Sequence, residues 1–231
     1  MIIPAFNEAE SIVHVLGDID RSVVNEIIVA DNGSTDGTAR ASSARGARVV
    51  REDRRGYGWA CLAAMARLDN PDIVVFLDGD YSDYPEKLPE LIGPILHGEA
   101  DFVIGSRTLG RAEKGALTPP QRFGNWLSSR LLNLVLGASF NDLGPFRAIK
   151  WDLLRKLGMK DKRFGWTIEM QIRAVLLGAR IVEVPVPYRK RIHGKSKVSG
   201  TVKGVVLAGF YILYYVGLAA VKRLTKRRPG D

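Results

Sequence analysis

Asp72-Ile73-Val74-Val75-Phe76-Leu77-Asp78-Gly79-Asp80 is an almost unbroken apolar run that ends in two carboxylates. A run of this kind reads as a strand over Asp72–Asp78, apolar on both sides because a parallel strand is covered on both faces. In an extended backbone, carboxylates at i and i+2 point the same way. Two such groups suit a hard cation such as Mg²⁺ or Mn²⁺, which would bridge a diphosphate and neutralise charge on a leaving nucleotide. An isolated D-x-D is most often a solvated acidic turn. Its place after a buried strand sets this one apart, because open α/β sheets bind ligands at the carboxyl ends of their strands.

Moving outward, Glu26–Asp31 (EIIVAD), Ala47–Arg51 (ARVVR) and Asp101–Gly105 (DFVIG) read as further strands. Glu8–Leu16, Gly37–Ala44, Gly58–Arg67 and Pro85–His97 read as helices between them, with Pro85 suited to a first helical turn. The βαβα rhythm predicts an α/β fold with a mostly parallel central sheet. Ile2-Ile3 is a very short first strand, either truncated or the end of one that begins upstream. Arg107–Pro120, with its glycines, charges and two prolines, reads as a loop, and a helix is expected over Arg122–Leu136. Arg180–Pro187 reads as a strand whose prolines confine it to an edge or an end. Arg189–Lys197 reads as a basic loop.

Two more polar clusters follow expected strands: Pro4-Ala5-Phe6-Asn7-Glu8 and Asp31-Asn32-Gly33-Ser34-Thr35-Asp36-Gly37. Each alone is a strand–helix turn, with Ser34, Thr35 and Asp36 available as caps. Three such clusters on strand ends would converge on one rim, where Asp31 can accept hydrogen bonds from a base or ribose.

Composition narrows the classes. The 231 residues are 46% hydrophobic and 26% charged, which is globular. The net charge of +9 favours an anionic partner: nucleic acid, anionic lipid or a phosphorylated substrate. One cysteine, Cys61, rules out an intrachain disulfide framework, and three dispersed histidines argue against a Cys/His zinc site. The opening Met1-Ile2-Ile3-Pro4 carries no signal-peptide pattern, so the expected location is the cytoplasmic face of a membrane.

The ordered set P-A-F-N-E, D-N-G-S-T-D-G-T, R-G-Y-G-W-A, D-G-D-Y-S-D-Y-P-E, G-S-R, N-D-L-G-P-F-R-A and E-V-P-V-P-Y followed by R-I-H-G-K-S-K resembles family-2 glycosyltransferases, most closely the dolichyl- and polyprenyl-phosphate hexose synthases. The resemblance runs from Ile2 to about Lys197. It implies a Rossmann-like, GT-A type nucleotide-diphospho-sugar transferase fold and an inverting, single-displacement transfer. It implies that Pro4, Ala5, Asn7, Glu8 and Asp31 line the nucleotide pocket, that Asp36 orders it, and that Asp78 and Asp80 hold the metal. It also implies that Arg107, Arg122, Arg191 and Lys197 handle donor or acceptor phosphate, work to which planar guanidinium forks are suited. Ser82 stands where relatives often carry glutamine. Asp142-Leu143-Gly144-Pro145-Phe146-Arg147 stands where many read D-x-x-S-G-F-R. Gly165-Trp166-Thr167-Ile168-Glu169 also resembles a family segment, in which Glu169 either contacts the sugar or serves the structure.

A phosphomonoester acceptor, with a second pKa of about 6, is largely dianionic at neutral pH and needs little help from a base. A hydroxyl acceptor would need one, and Asp80 or Asp142 would then be candidates. The Q-x-x-R-W motif of processive hydroxyl-acceptor enzymes is absent, as are a nucleic-acid recognition motif and the Gly-rich opening of a nucleotidyltransferase. The expected partners are therefore a nucleotide-sugar and a polyprenyl or dolichyl phosphate, with no nucleic acid.

Residues 1–200 are expected to form the catalytic domain, and residues 201–231 a hydrophobic helix with a basic tail. Gly204–Val221 carries no charge, and its 18 residues sit at the lower limit for spanning a bilayer. Gly209, Gly217 and three tyrosines leave interfacial, spanning and domain-docked helices all open.

Overall fold

A computed structural model describes residues 1–194, 210–211 and 213–218. Seven strands form one sheet in the order β3-β2-β1-β4-β6-β5-β7. They are β1 (Ile2–Ala5), β2 (Ile28–Asp31), β3 (Arg48–Arg51), β4 (Ile73–Phe76), β5 (Phe102–Ser106), β6 (Arg147–Lys150) and β7 (Ile181–Pro185). All neighbours are parallel except at β6, which runs antiparallel to both β4 and β5. The chain order reverses between β1 and β4, so the switch point, and the cleft expected there, lies beside the end of β4.

Alternate residues of each strand feed two apolar layers, as period-2 geometry requires. Ile2, Ile28, Val74 and Phe76 join a core with α3 (Tyr57–Met65), α5 (Pro119–Leu136), α6 (Trp151–Leu157) and α7 (Trp166–Leu176). Ile3, Val29, Val75 and Leu77 face α1 (Ala9–Asp18) and α4 (Leu88–Leu96). α2 (Thr38–Ala44) packs on α1 at the β2–β3 side.

The mostly parallel sheet and the edge position of β7, which ends in Pro185, agree with the sequence expectation. Three elements were not anticipated: β6, α6 and α7. Most boundaries also move by a residue or more, and two of these shifts have a local cause. Pro85 opens a single 3₁₀ turn (Pro85–Lys87) before α4 begins. α5 starts at Pro119 rather than Arg122, because both prolines fit its first turn and Thr118 caps it. Thr118 Oγ1 accepts from Gln121 N at 3.4 Å, while Gln121 Oε1 accepts from Thr118 N at 2.8 Å.

The R-G-Y-G-W-A stretch has a steric reason. A Cβ on Gly56 would lie 2.0 Å from the Lys162 carbonyl oxygen, and one on Gly58 would lie 2.1 Å from that of Asp161. Both glycines let the start of α3 press against the backbone of residues 161–162, and Trp59 N donates to Lys162 O at 3.2 Å. The same segment is held by Glu169, whose carboxylate accepts from the backbone N–H of Lys160 and Asp161 and pairs with Arg173 at 2.7 Å. Glu169 is 1% exposed, so its role here is structural.

Residues 210–211 and 213–218 are helical. Tyr215 and Val216 are buried against the domain, with Tyr215 Oη donating to Asp161 Oδ2 at 3.1 Å, while Phe210, Leu213 and Tyr214 are exposed. Among the described residues no helix is long and apolar enough to cross a membrane. Most of Gly204–Val221, the boundary at residue 200 and the basic tail lie outside the described residues.

Candidate active site

A cleft of about 510 Å³ opens at the carboxyl ends of β1, β2 and β4, a volume suited to a nucleotide-sized ligand. Pro4, Ala5 and Glu8 from the β1–α1 turn form one wall, and Asp78, Gly79 and Asp80 after β4 form the floor. Arg107 and Tyr188 enter from the ends of β5 and β7, and Arg191 from the segment that follows. Leu143, Pro145, Phe164 and Trp166 close the far side.

The two floor carboxylates are held differently. Asp78 Oδ1 accepts from Tyr57 Oη at 3.0 Å. Burial, and then the charge of Asp80, push the Asp78 carboxyl up to about 7, against the pull of Tyr57, Arg107 and Arg191. Asp80 Oδ1 accepts from Ser82 N at 2.9 Å, and its Oδ2 meets Arg191 at 2.5 Å. Arg191 also lies 3.8 Å from Glu8, so it bridges the turn after β4 and the β1–α1 wall of the cleft. Behind the pair, Asp83 is 2% exposed, and neither carboxylate oxygen has a hydrogen-bond partner among the described residues. Burial and the nearby Asp78 and Asp80 charges drive its carboxyl well above the usual range. Asp78 and Asp80 supply hard oxygen donors in a cleft that also carries cationic side chains, which fits a divalent cation shared with a diphosphate.

Pro4, Ala5, Glu8, Asp78, Asp80, Arg107 and Arg191 thus come together. Asn7, Asp31, Asp36 and Arg122 do not line the cleft, and their contacts say what the first three do. Asn7 sits at φ +53, receives Thr35 N on its side chain at 2.9 Å, and donates its own N–H to Ser34 Oγ. Asp31 is 1% exposed and accepts from Ser34 N and Arg51. Asp36 accepts from Ala9 N and Thr38 N, joining the starts of α1 and α2. These residues brace the β1 and β2 turns behind that wall of the cleft. Arg122 is exposed on α5, while its neighbour Gln121 lines the cleft. Lys197 lies outside the described residues.

Arg107 reaches the cleft with most of its fork engaged. Its Nε and one terminal nitrogen donate to Asp142 at 2.9 and 2.7 Å, and its backbone N–H donates there at 2.7 Å. Burial opposes the charge, but the Asp142 carboxylate prevails and holds the guanidinium cationic. Arg147, fully buried on β6, donates to the carbonyls of Leu143, Gly144 and Thr167, tying two segments of the far wall together.

The sequence reading passed over Asn32, Arg55 and Tyr57. Asn32 Nδ2 donates to the carbonyls of Glu52 and Arg54, and its Oδ1 accepts from Gly56 N, so it builds the turn before α3. Arg55 stacks 3.7 Å over Phe6 and donates to Asn32 O, forming the cleft's cationic shoulder. Arg55 precedes the two R-G-Y-G-W-A glycines and Tyr57 separates them, and that glycine spacing is the available signal.

A doubly covered, mostly parallel sheet with a nucleotide-sized cleft and two carboxylates at its switch point is the architecture of the GT-A type fold. Residues 1–158 match the model of Glycosyl transferase family 2, and the chain belongs to that family. It is 32% identical over 216 residues to an undecaprenyl-phosphate mannosyltransferase of Micrococcus luteus, covering 88% of both chains. It is 34% identical over 211 residues to a dolichyl-phosphate hexose transferase of Haloferax volcanii, covering 90% of this chain and 89% of that one. Among solved structures, it is similar to glucosyl-3-phosphoglycerate synthase of Mycobacterium tuberculosis in complex with Mn²⁺ and UDP-glucose. The TM-score there is 0.73 at 27% identity, with 94% of this chain and 78% of that one covered.

Proposed function

We propose that this glycosyltransferase carries out an inverting transfer of a hexose from a nucleotide-sugar of the GDP-mannose or UDP-glucose type to a polyprenyl or dolichyl phosphate at a membrane surface. The observation that carries the reading is the meeting of Asp78 and Asp80 with Arg191 in one cleft: a cation site and an anion site side by side. Asp78 and Asp80 would hold Mg²⁺ or Mn²⁺, which when bound would offset charge on the departing diphosphate. Pro4, Ala5 and Glu8 orient the nucleotide, with Asn7, Asp31 and Asp36 holding that wall in shape. Arg191, freed from Asp80 as ligands enter, steers the acceptor phosphate, and Lys197 is proposed to join it. Little proton transfer is needed, because the acceptor is already dianionic.

The lipid acceptor is supported by the two relatives named for lipid-phosphate transfer and by one surface. Phe123 and Trp126 are exposed on α5 with ring centroids 5.9 Å apart, one turn from Gln121 in the cleft. Arg122 and Arg130 are exposed on the same helix. An aromatic pair with flanking cations suits the interface of an anionic bilayer. Arg122 then belongs to the membrane side of the acceptor path rather than to the cleft. Phe210, Leu213 and Tyr214 are also exposed, and the C-terminal segment is proposed to lie on the membrane's cytoplasmic face.

The test offers UDP-glucose and GDP-mannose, with Mn²⁺ or EDTA, to undecaprenyl phosphate in phosphatidylglycerol vesicles, with 3-phosphoglycerate as the water-soluble alternative. Metal-dependent glycolipid formation is expected. Transfer to phosphoglycerate but never to the lipid phosphate would overturn the acceptor, and full activity in EDTA would overturn the metal.

A further inference from the structure

Arg189 and Arg191 stand two residues apart on the same segment and do different work. Arg191 lines the cleft; Arg189 does not. Its guanidinium lies 3.3 Å from the ring centroid of Tyr81 and 4.2 Å from that of Tyr84. Its Nε donates to Tyr81 O at 2.7 Å, a terminal nitrogen donates to Asp83 O at 3.1 Å, and its backbone N–H donates to Ser82 O at 2.9 Å. One residue thus takes up three successive carbonyls of the turn that follows Asp80. That turn is unusual. Tyr81 is held at φ +64, a region that L side chains rarely adopt. Its hydroxyl donates to Asp18 at 2.5 Å, and Asp18 lies 3.6 Å from Arg189. The next residue, Ser82, provides the N–H that orients Asp80.

We propose that Arg189 is a positioning residue that locks the segment carrying Arg191 to the turn carrying Asp80, fixing the distance between the acceptor-phosphate cation and the metal-holding carboxylate. The inference rests on the reading of the site given above. Backbone strain at Tyr81 persists only where the surroundings over-determine it, and the stacked, three-point grip of Arg189 with the Tyr81–Asp18 bond supplies that. A planar fork is needed to stack and donate in two directions at once; a lysine ammonium cannot do both. Because Arg189 reads backbone carbonyls, the lock is insensitive to which side chains occupy positions 82 and 83.

The test compares Arg189→Met and Arg189→Lys with the wild-type chain, alone and in an Arg191→Met background. The readouts are the thermal midpoint, UDP and GDP affinity with and without Mn²⁺, and kcat and KM for undecaprenyl phosphate. Transfer is expected to fall on the order of 10-fold to 100-fold, the usual result of a misplacement of about 1 Å. Nucleotide affinity should weaken with Mn²⁺ and stay the same without it. In the Arg191→Met background the further loss should shrink to roughly twofold or less, since both residues act through one geometry. Arg189→Lys keeps the charge and serves if the methionine variant does not fold. A lower midpoint with unchanged Mn²⁺-linked affinity and unchanged KM would mean that the clamp is only structural and the inference is wrong. Losses that multiply in the Arg191→Met background would overturn it equally. If Arg191→Met and Asp80→Asn each work at wild-type rates, the reading of the site itself fails, and the inference with it.

Discussion

The two halves of the cleft are built on different principles. On the side proposed for the donor, the turns after β1 and β2 are braced by backbone N–H groups donating to side chains: Thr35 to Asn7, Ser34 to Asp31, Ala9 and Thr38 to Asp36. Their polar side chains are consumed by the backbone, leaving a preformed wall. On the side proposed for the acceptor, Arg107 pairs with the buried Asp142 and Arg191 meets Asp80 in the cleft. A hydrogen-bonded turn keeps its shape when a ligand arrives, whereas an ion pair can exchange one anion for another. The donor wall is therefore expected to bind as it stands, and the acceptor side to rearrange its charges as phosphate enters.

The largest expected effect tests which ion pair is permanent. Asp142 is fully buried and Arg107 nearly so. Arg107→Ala would leave a buried carboxylate without its partner, a change that costs about 3–5 kcal/mol. Denaturant titration should show that loss in the ligand-free protein. A stable variant defective only in transfer would instead make Arg107 a phosphate ligand first. Asp80→Asn should come next, with transfer down on the order of 100-fold or more through the weakened metal site. Circular dichroism should be unchanged, because the Ser82 N–H keeps an acceptor oxygen. Persistent turnover insensitive to EDTA would undo the contrast between a fixed donor wall and a metal-assembled floor.

The same division governs what could be read in the sequence. In the first half of the chain, each βα unit repeats an apolar run, a polar turn and a helical stretch, so β2, β3 and β4 and the helices between them lie within a few residues of the positions the sequence predicts. Beyond β4, the short β6 opens on Arg147, and a fully buried arginine breaks the apolar pattern that marks a strand. Its guanidinium is satisfied by carbonyls 143, 144 and 167, contacts between segments that periodicity cannot foresee. α6 and α7 were hidden for a related reason: Trp151 and Trp166 begin them without a side-chain cap. The resemblance names Asn7 and Asp31 as pocket residues and Asp36 as one that orders the pocket. Motif position cannot separate a side chain that faces a ligand from one that holds the turn.

A smaller effect isolates the floor. Tyr57→Phe removes the hydroxyl that donates to Asp78 while leaving the ring packed in the core. The loss of one such bond to a carboxylate is worth about 1.5–3 kcal/mol at most, less here because a water or a bound cation can take its place. A decline in Mn²⁺-linked nucleotide affinity of roughly threefold to tenfold is expected. No change would show that Asp78 is oriented by the strand alone.

The smallest effect lies at the opposite end of the acceptor half. Asp101 precedes β5 and pairs with Lys150 at the end of β6 and with Arg180 just before β7, both at 2.8 Å. Hydrogen bonding from Arg180 holds its carboxyl well below the usual range. The sign then follows. A depressed folded-state pKa contributes stability that is fully present above the unfolded value of about 3.9 and is lost as pH falls through the folded value. Both cations are substantially exposed, so the contribution is limited to about 0.5–1 kcal/mol. Asp101→Asn should accordingly lower stability slightly at pH 7 and flatten the decline in the thermal midpoint below about pH 4. Transfer at neutral pH should not change, because this network ties the strands together at the end of the sheet away from the cleft. A drop in transfer would mean that the acceptor half responds as one body. The difference between a preformed donor wall and an ion-paired acceptor side would then have to be sought in the sheet itself rather than in the pairs at its rim.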